Sequence, residues 1–194
     1  MKKKTTFASV CAVIGCVLVV CALGLLIWWI LSGHMAGERA ARAVTALRDI
    51  LPEPVAAMPE ERLDNTMAVL SVDGVDYVGL LEFPAQGAVL PVRSDWNRQL
   101  PAPCRYRGSI YDGSLAIGAT TRSGQFDFYR EISIAQVLYF TDMTGNRFAF
   151  EVTDILYRQQ LSDAVLQPDN ADLTLFIKNL RGFEYIVIHC RVRS

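Results

Sequence analysis

Histidine is scarce in this chain, with only His34 and His189 among 194 residues. His34 lies beside a long apolar run, so histidine acid–base chemistry in the remaining chain would rest on His189 alone. No H-E-x-x-H, C-x-x-C, G-x-S-x-G or glycine-rich phosphate loop occurs, and the common metal, redox, serine-nucleophile and nucleotide sites have no sequence support. Excess positive charge is lacking too. With 19 Lys and Arg against 20 Asp and Glu, the formal charge is -1, which excludes a broad phosphate-neutralising surface and with it nucleic acid as a partner.

Cysteine is unevenly spread. Of five, Cys11, Cys16 and Cys21 fall in the apolar N-terminal run, where a thiol behaves as a small apolar group. Only Cys104 and Cys190 remain for the rest of the chain. Two cysteines allow at most one disulfide, and the spacing needed for zinc is absent, so a buried pair of thiols is expected, with no metal and no cofactor.

Long apolar runs are the exception to this scarcity. Residues 7–31, FASVCAVIGCVLVVCALGLLIWWIL, carry no charge, and about 20 such residues cross a bilayer as a helix. Lys2, Lys3 and Lys4 precede the run and Trp28 and Trp29 close it, in the manner of a cytoplasmic basic anchor and an interfacial aromatic belt. Its length and bulky exit differ from a cleavable signal, and Val20 before Cys21 differs from a lipoprotein site. The expected layout is a cytoplasmic N-terminus at 1–6, a transmembrane anchor at 7–31, a juxtamembrane helix and linker at 32–65, and an extracellular domain at 66–194.

Within 32–65, Ala40, Val44, Leu47 and Leu51 recur at helical spacing before Pro52 and Pro54. The rest reads as β structure. TMAVLSV, VDYVGLLEF, AVLPV, SLAIGA and the hairpin VLYFTDMTGNRFAFEV alternate apolar and polar residues, with turns at Asp73-Gly74, near Gly87 and at TGN. Gly74, Gly79, Gly145 and Gly182 stand in turn-like places. FYREISIA reads as one short helix and SDAVLQ as a helical turn. Seven or eight short strands in about 130 residues predict a closed or nearly closed barrel.

LTLFIKNLRGFEYIVIHC, residues 173–190, reads as strand, tight turn and strand. Leu173, Leu175 and Ile177 share one face; Asp172, Thr174, Phe176 and Lys178 share the other, which reads as the polar-to-mixed one. His189 and Cys190 are adjacent and therefore point to opposite faces of a regular strand, so they form no dyad. His189 reads as an ordinary surface or edge residue.

Taken in order, DGVDYVGLLEFPAQGAVLPV, APCRYRGSIYDGSLAIGATTRSGQF, YFTDMTGNRFAFEV and DLTLFIKNLRGFEYIVIHC resemble a sortase over residues 70–192. The resemblance implies an eight-stranded β-barrel behind a membrane anchor, on a transpeptidase of mainly Gram-positive bacteria. Where the family's TLxTC stretch ends on the nucleophilic cysteine, TLFIK ends on Lys178. The turn holding the family's histidine reads GATT, with Thr120 at that position. The family's arginine position falls on Tyr185, or on Glu184 if the turn differs by one residue.

All three catalytic types are thus replaced. A lysine attacking the peptide carbonyl would form a stable amide, a threonine is no base near neutral pH, and a tyrosine brings no positive charge to an oxyanion. The resemblance then implies an inactive, membrane-anchored binding or accessory domain. Its partners would be the membrane and a sorting-signal peptide, a cell-wall precursor or another sortase. The competing expectation is an active transpeptidase or acyl transferase using rearranged residues, either Cys104 with His189 or Lys178 itself.

Overall fold

The computed structural model describes residues 3–60, 64–168, 170–182 and 184–193, and only the backbone of 3–14 and 27–36. A helix, α1 (Lys3–Ile50), opens the chain. Its C-terminal part has the expected amphipathic face: Ala43, Val44 and Leu47 are buried against Tyr77 and Leu80. Arg48 adds an ion pair to Glu82 at 3.1 Å. Glu82 also pairs with Arg147, whose guanidinium lies 4.0 Å from the Tyr139 ring centroid. Further back, Val17 to Val20, Leu23, Leu25 and Leu26 are exposed. Among the described residues no helix is long and apolar enough to cross a membrane. Most of the expected 7–31 anchor lies outside the residues whose side chains are described.

Among the described residues ten strands follow: β1 (Val55–Ala57), β2 (Leu70–Val72), β3 (Val75–Phe83), β4 (Ala88–Arg93), β5 (Cys104–Arg107), β6 (Leu115–Thr120), β7 (Val137–Asp142), β8 (Asn146–Arg158), β9 (Leu173–Lys178) and β10 (Tyr185–Val192). Eight close into a barrel. The ring runs β3-β4-β5-β6-β9-β10-β8-β7 and returns to β3, with β1 and β2 attached outside it. β6 and β9 are parallel over six pairs, whereas β4 and β5 meet through Arg93 and Cys104 only. The fold is therefore mainly β, an eight-stranded barrel with few short helices.

The interior follows strand parity. Leu115, Ile117 and Ala119 of β6 meet Leu173, Leu175 and Ile177 of β9 and Ile186, Ile188 and Cys190 of β10 in one core. Aromatic bulk comes from Phe83, Phe126, Phe140, Phe148 and Phe150, all fully buried. Asp73 and Gly74 have φ of 51° and 75°, the pair of left-handed residues that a two-residue hairpin between β2 and β3 requires.

Three local expectations differ from the structure. FYREISIA forms only a 3-10 turn at Tyr129–Glu131, because its continuation is drawn to β8: Ala135 N–H donates to Val152 O at 2.8 Å and Val152 N–H to Gln136 O at 2.9 Å. Gly79 is not in a turn. It lies inside β3 at a register shift, and a Cβ there would sit 2.2 Å from Phe140 Cζ. TMAVLSV is strand only over Leu70–Val72, while β1 and β5 arise where no strand was read. SDAVLQ does make a helical turn, α2 (Asp163–Leu166).

Candidate functional site

The pairings of β6, β9, β10 and β8 fix which side chains meet on the outer wall of the barrel. Thr120 is the register partner of Lys178, Lys178 of Tyr185, and Tyr185 of Arg158. Directly paired residues present side chains to the same face. Four strands thus set Thr120, Lys178, Tyr185 and Arg158 in one row across about 14 Å, at roughly 4.8 Å per strand. Three of these four are the positions that the sortase resemblance singles out. The row below is Gly118, Phe176, Val187 and Leu156, and the next is Ala116, Thr174, His189 and Asp154.

This face, read as polar to mixed, is largely covered. Phe176 and Thr174 are both 3% exposed. The covering is aromatic on one side, where Trp96 and Tyr106 pack edge to face at 4.8 Å and lie 5.7 and 5.4 Å from the Phe176 ring. A glycine is needed beneath them: a Cβ on Gly118 would be 2.5 Å from Trp96 and 2.7 Å from Phe176. On the other side Leu166, Val165 and Leu161, in and beside α2, cover Val187 and Ala116.

His189 takes part in that covering and is no surface or edge residue. It is 6% exposed, and its Nε2 lies 2.8 Å from Val165 O, which ties α2 to the barrel. Packing of α2, set by tertiary contact, overrides the exposure expected from strand position.

Thr120 is sealed as well. It is 2% exposed, and its N–H and Oγ1–H both point to Gln125 Oε1, at 3.0 and 3.1 Å. Gln125 Nε2 in turn donates to Leu100 O at 3.0 Å, and Arg122 N–H donates to Thr120 Oγ1 at 3.3 Å. The hydroxyl thus donates its proton to Gln125 and accepts from Arg122 N–H. Lys178 is exposed, its carbonyl accepts from Thr121 N–H at 3.2 Å, and among the described residues its ammonium has no hydrogen-bond or ion-pair partner. The turn after it is built tightly: Asn179 Nδ2 donates to Glu184 Oε1 at 3.3 Å, Arg181 N–H to Asn179 Oδ1 at 3.0 Å, and Leu180 N–H to Thr121 Oγ1 at 3.1 Å.

The alternative pair, Cys104 with His189, is not assembled. Cys104 on β5 is the partner of Gly118, and β6 and β9 stand between it and His189 on β10, about 14 Å of strand spacing. Both thiols are free and buried, on opposite sides of the barrel wall: Cys190 in the core, Cys104 beneath the 95–102 loop with its Sγ 3.1 Å from Ala102 O. Burial pushes both thiols up, Cys190 far beyond the ordinary range, and for Cys104 it outweighs backbone hydrogen bonds and the charge of Arg93. Neither supplies thiolate at neutral pH.

A cavity of about 560 Å³ lies between α1 and the barrel, with Gly37, Ala40, Gly87, Asp127 and Glu131 among its walls and Gln125, the cap of Thr120, lining it too. No group of acidic, histidine or cysteine side chains suited to a metal occurs among the described residues. Gln125, Trp96, Tyr106 and Arg158 escaped the sequence reading. Their roles depend on loop packing and on strand register, neither of which leaves a local pattern.

No family model and no curated protein match the chain by sequence. Solved structures match by shape. Sortase A from Corynebacterium diphtheriae superposes with a TM-score of 0.54 at 17% identity, over 62% of each chain, so the match spans less than two thirds of that protein. Sortase A of Listeria monocytogenes gives 0.53 at 17% identity over 61% of this chain and 88% of its own. Clostridium perfringens sortase C with the C-terminal cell wall sorting motif gives 0.52 at 16%, over 61% and 71%. In fold, the chain is a sortase-like barrel.

Proposed function

We propose that this chain is a membrane-anchored, sortase-like protein whose barrel binds a partner at the outside of a Gram-positive cell envelope without catalysing transpeptidation. The observation that carries the reading is the row Thr120, Lys178, Tyr185, in which the hydroxyl proton is held by Gln125 and the lysine has neither a thiol nor a histidine beside it. A transpeptidase needs a nucleophile that can form and release an acyl intermediate, with a base in reach. The barrel keeps its shape while this chemistry is missing, as a binding domain can. The C. perfringens sortase C structure holds a sorting motif, so a sorting-signal peptide is a reasonable partner, beside a wall precursor or another sortase. The uncharged 7–31 run and its exposed Val17 to Leu26 portion support the anchor.

The test is transpeptidation by the full chain in detergent micelles, with a panel of sorting peptides and an amine acceptor. No ligated or hydrolysed peptide is expected. Turnover that disappears in Lys178→Ala would overturn the non-catalytic reading.

A further inference from the structure

We infer that the outer face around Lys178 is a binding site for an anionic glycan, a sugar polymer bearing phosphate or carboxylate groups. This deepens the non-catalytic reading and rests on it, since it gives the vacated row a ligand. Cations are the first ground. Lys178 and Arg158 stand in the same row with Tyr185 between them, and both are exposed. Arg122 and Arg181 are exposed on the adjoining lip, where the Thr121 hydroxyl joins the loop after β6 to the β9–β10 turn. None of the four has an ion-pair partner among the described residues. Of the acids nearby, Asp163 is paired with Arg107 at 2.8 Å, whereas Glu184, which accepts from the neutral Asn179 amide, and Asp154, two rows below, keep their charge, so the cations outnumber the free acids four to two. In a chain whose formal charge is -1, four unpaired cations around one row form a local positive field that draws an anion and can fork onto its oxygens.

The second ground is the aromatic platform one row below, about 7 Å along the strand. Trp96 and Tyr106 remain 37% and 38% exposed although they are fixed against Phe176 and Gly118. A rigid, partly exposed aromatic ring offers the C–H face of a sugar a π-face to stack on, at little entropic cost. The third ground bears on the ligand's backbone. β6, β9 and β10 are each paired on both sides in a closed ring, so no strand edge is offered for an extended peptide to hydrogen-bond along. Recognition here comes from side chains, and the exposed ones are chiefly cations and aromatic rings, with Leu180 and Glu184 in the adjoining turn.

The inference is tested with the full chain in detergent micelles and four polymers: phosphorylated dextran, polygalacturonate, neutral dextran and poly-L-glutamate. Affinity electrophoresis should show both anionic glycans retarding the protein, with neutral dextran and poly-L-glutamate at least tenfold weaker. The stronger of the two glycans identifies the preferred oxyanion. Lys178→Ala with Arg158→Ala, both exposed and safe for folding, should weaken glycan binding at least tenfold, and raising salt to about 1 M, where charges are screened beyond about 3 Å, should do the same. Poly-L-glutamate binding as well as the glycans would overturn the inference in favour of an acidic peptide. Undiminished binding by the double variant would place the site elsewhere, and no binding by any polymer would reject a glycan ligand. In that last case the peptide-turnover assay still decides the non-catalytic reading separately.

Discussion

Asp142 is fully buried, and five donors converge on it: the Tyr111 hydroxyl at 2.7 Å, the N–H and hydroxyl of Thr144, and the N–H and amide of Asn146. Burial alone would raise its carboxyl, but the hydrogen bonds outweigh burial and hold it below the usual carboxylate range. Its stabilisation is therefore complete above the unfolded value of about 3.9 and is lost as pH falls through the lower, folded value. Thermal melts should show stability declining in that acid window. Asp142→Asn should cost about 2–3 kcal/mol at neutral pH and flatten the decline; a variant with an unchanged acid limb would assign the pH dependence to other groups. The cysteines give a second expectation at this scale. Cys104 and Cys190 should resist iodoacetamide in the folded chain and react only on unfolding, since neither thiol ionises near neutral pH. Alkylation of either thiol in the folded chain faster than a free thiol would favour the competing enzyme reading over the proposed one.

At the scale of elements, legibility tracked alternation. β3, β7, β8, β9 and β10 were readable because one face of each is packed into the barrel, as Leu173, Leu175 and Ile177 show. β5 was not, since four residues with two arginines carry no apolar period, and β1 exists only through its parallel pairing of Val55–Ala57 with β8. Gly79 was misread for a related reason. Glycine punctuates turns in sequence, but here it makes room for Phe140 across the β3–β7 pair. Gly79→Ala should then destabilise by about 1–3 kcal/mol through overpacking, read as a lowered denaturant midpoint; a neutral result would mean that Phe140 has free space to turn. Leu47→Ala probes the α1 dock in the same way. A fully buried leucine leaving a cavity against Tyr77 and Leu80 should cost about 2–5 kcal/mol, and no loss would show that the barrel is indifferent to the helix.

At the scale of the molecule, the three positions inferred from the resemblance, Thr120, Lys178 and Tyr185, come together through the parallel β6–β9 and antiparallel β9–β10 registers. Counting residues along single strands could reach those positions but not what encloses them. Gln125 caps Thr120 from a loop, and Trp96 covers Gly118 from another. Under the proposed non-catalytic reading, this enclosure decides which substitutions should introduce chemistry. Nucleophile, base and cation act as a unit, so Lys178→Cys alone should give a trapped acyl-enzyme or nothing. The triple variant Thr120→His, Lys178→Cys, Tyr185→Arg should also stay silent, because an imidazole at 120 must compete with the Gln125 side chain for a space that is 2% exposed. Adding Gln125→Gly removes that cap and frees the Leu100 carbonyl. Slow cleavage of a sorting peptide, with loss of the introduced free thiol during turnover, should first appear in this fourfold variant. Equal activity in the threefold variant would show that Gln125 yields easily. Silence from a folded fourfold variant, checked by its melting transition, would mean that the Trp96 and Tyr106 covering, rather than the residues at 120, 178 and 185 alone, keeps a peptide from the row.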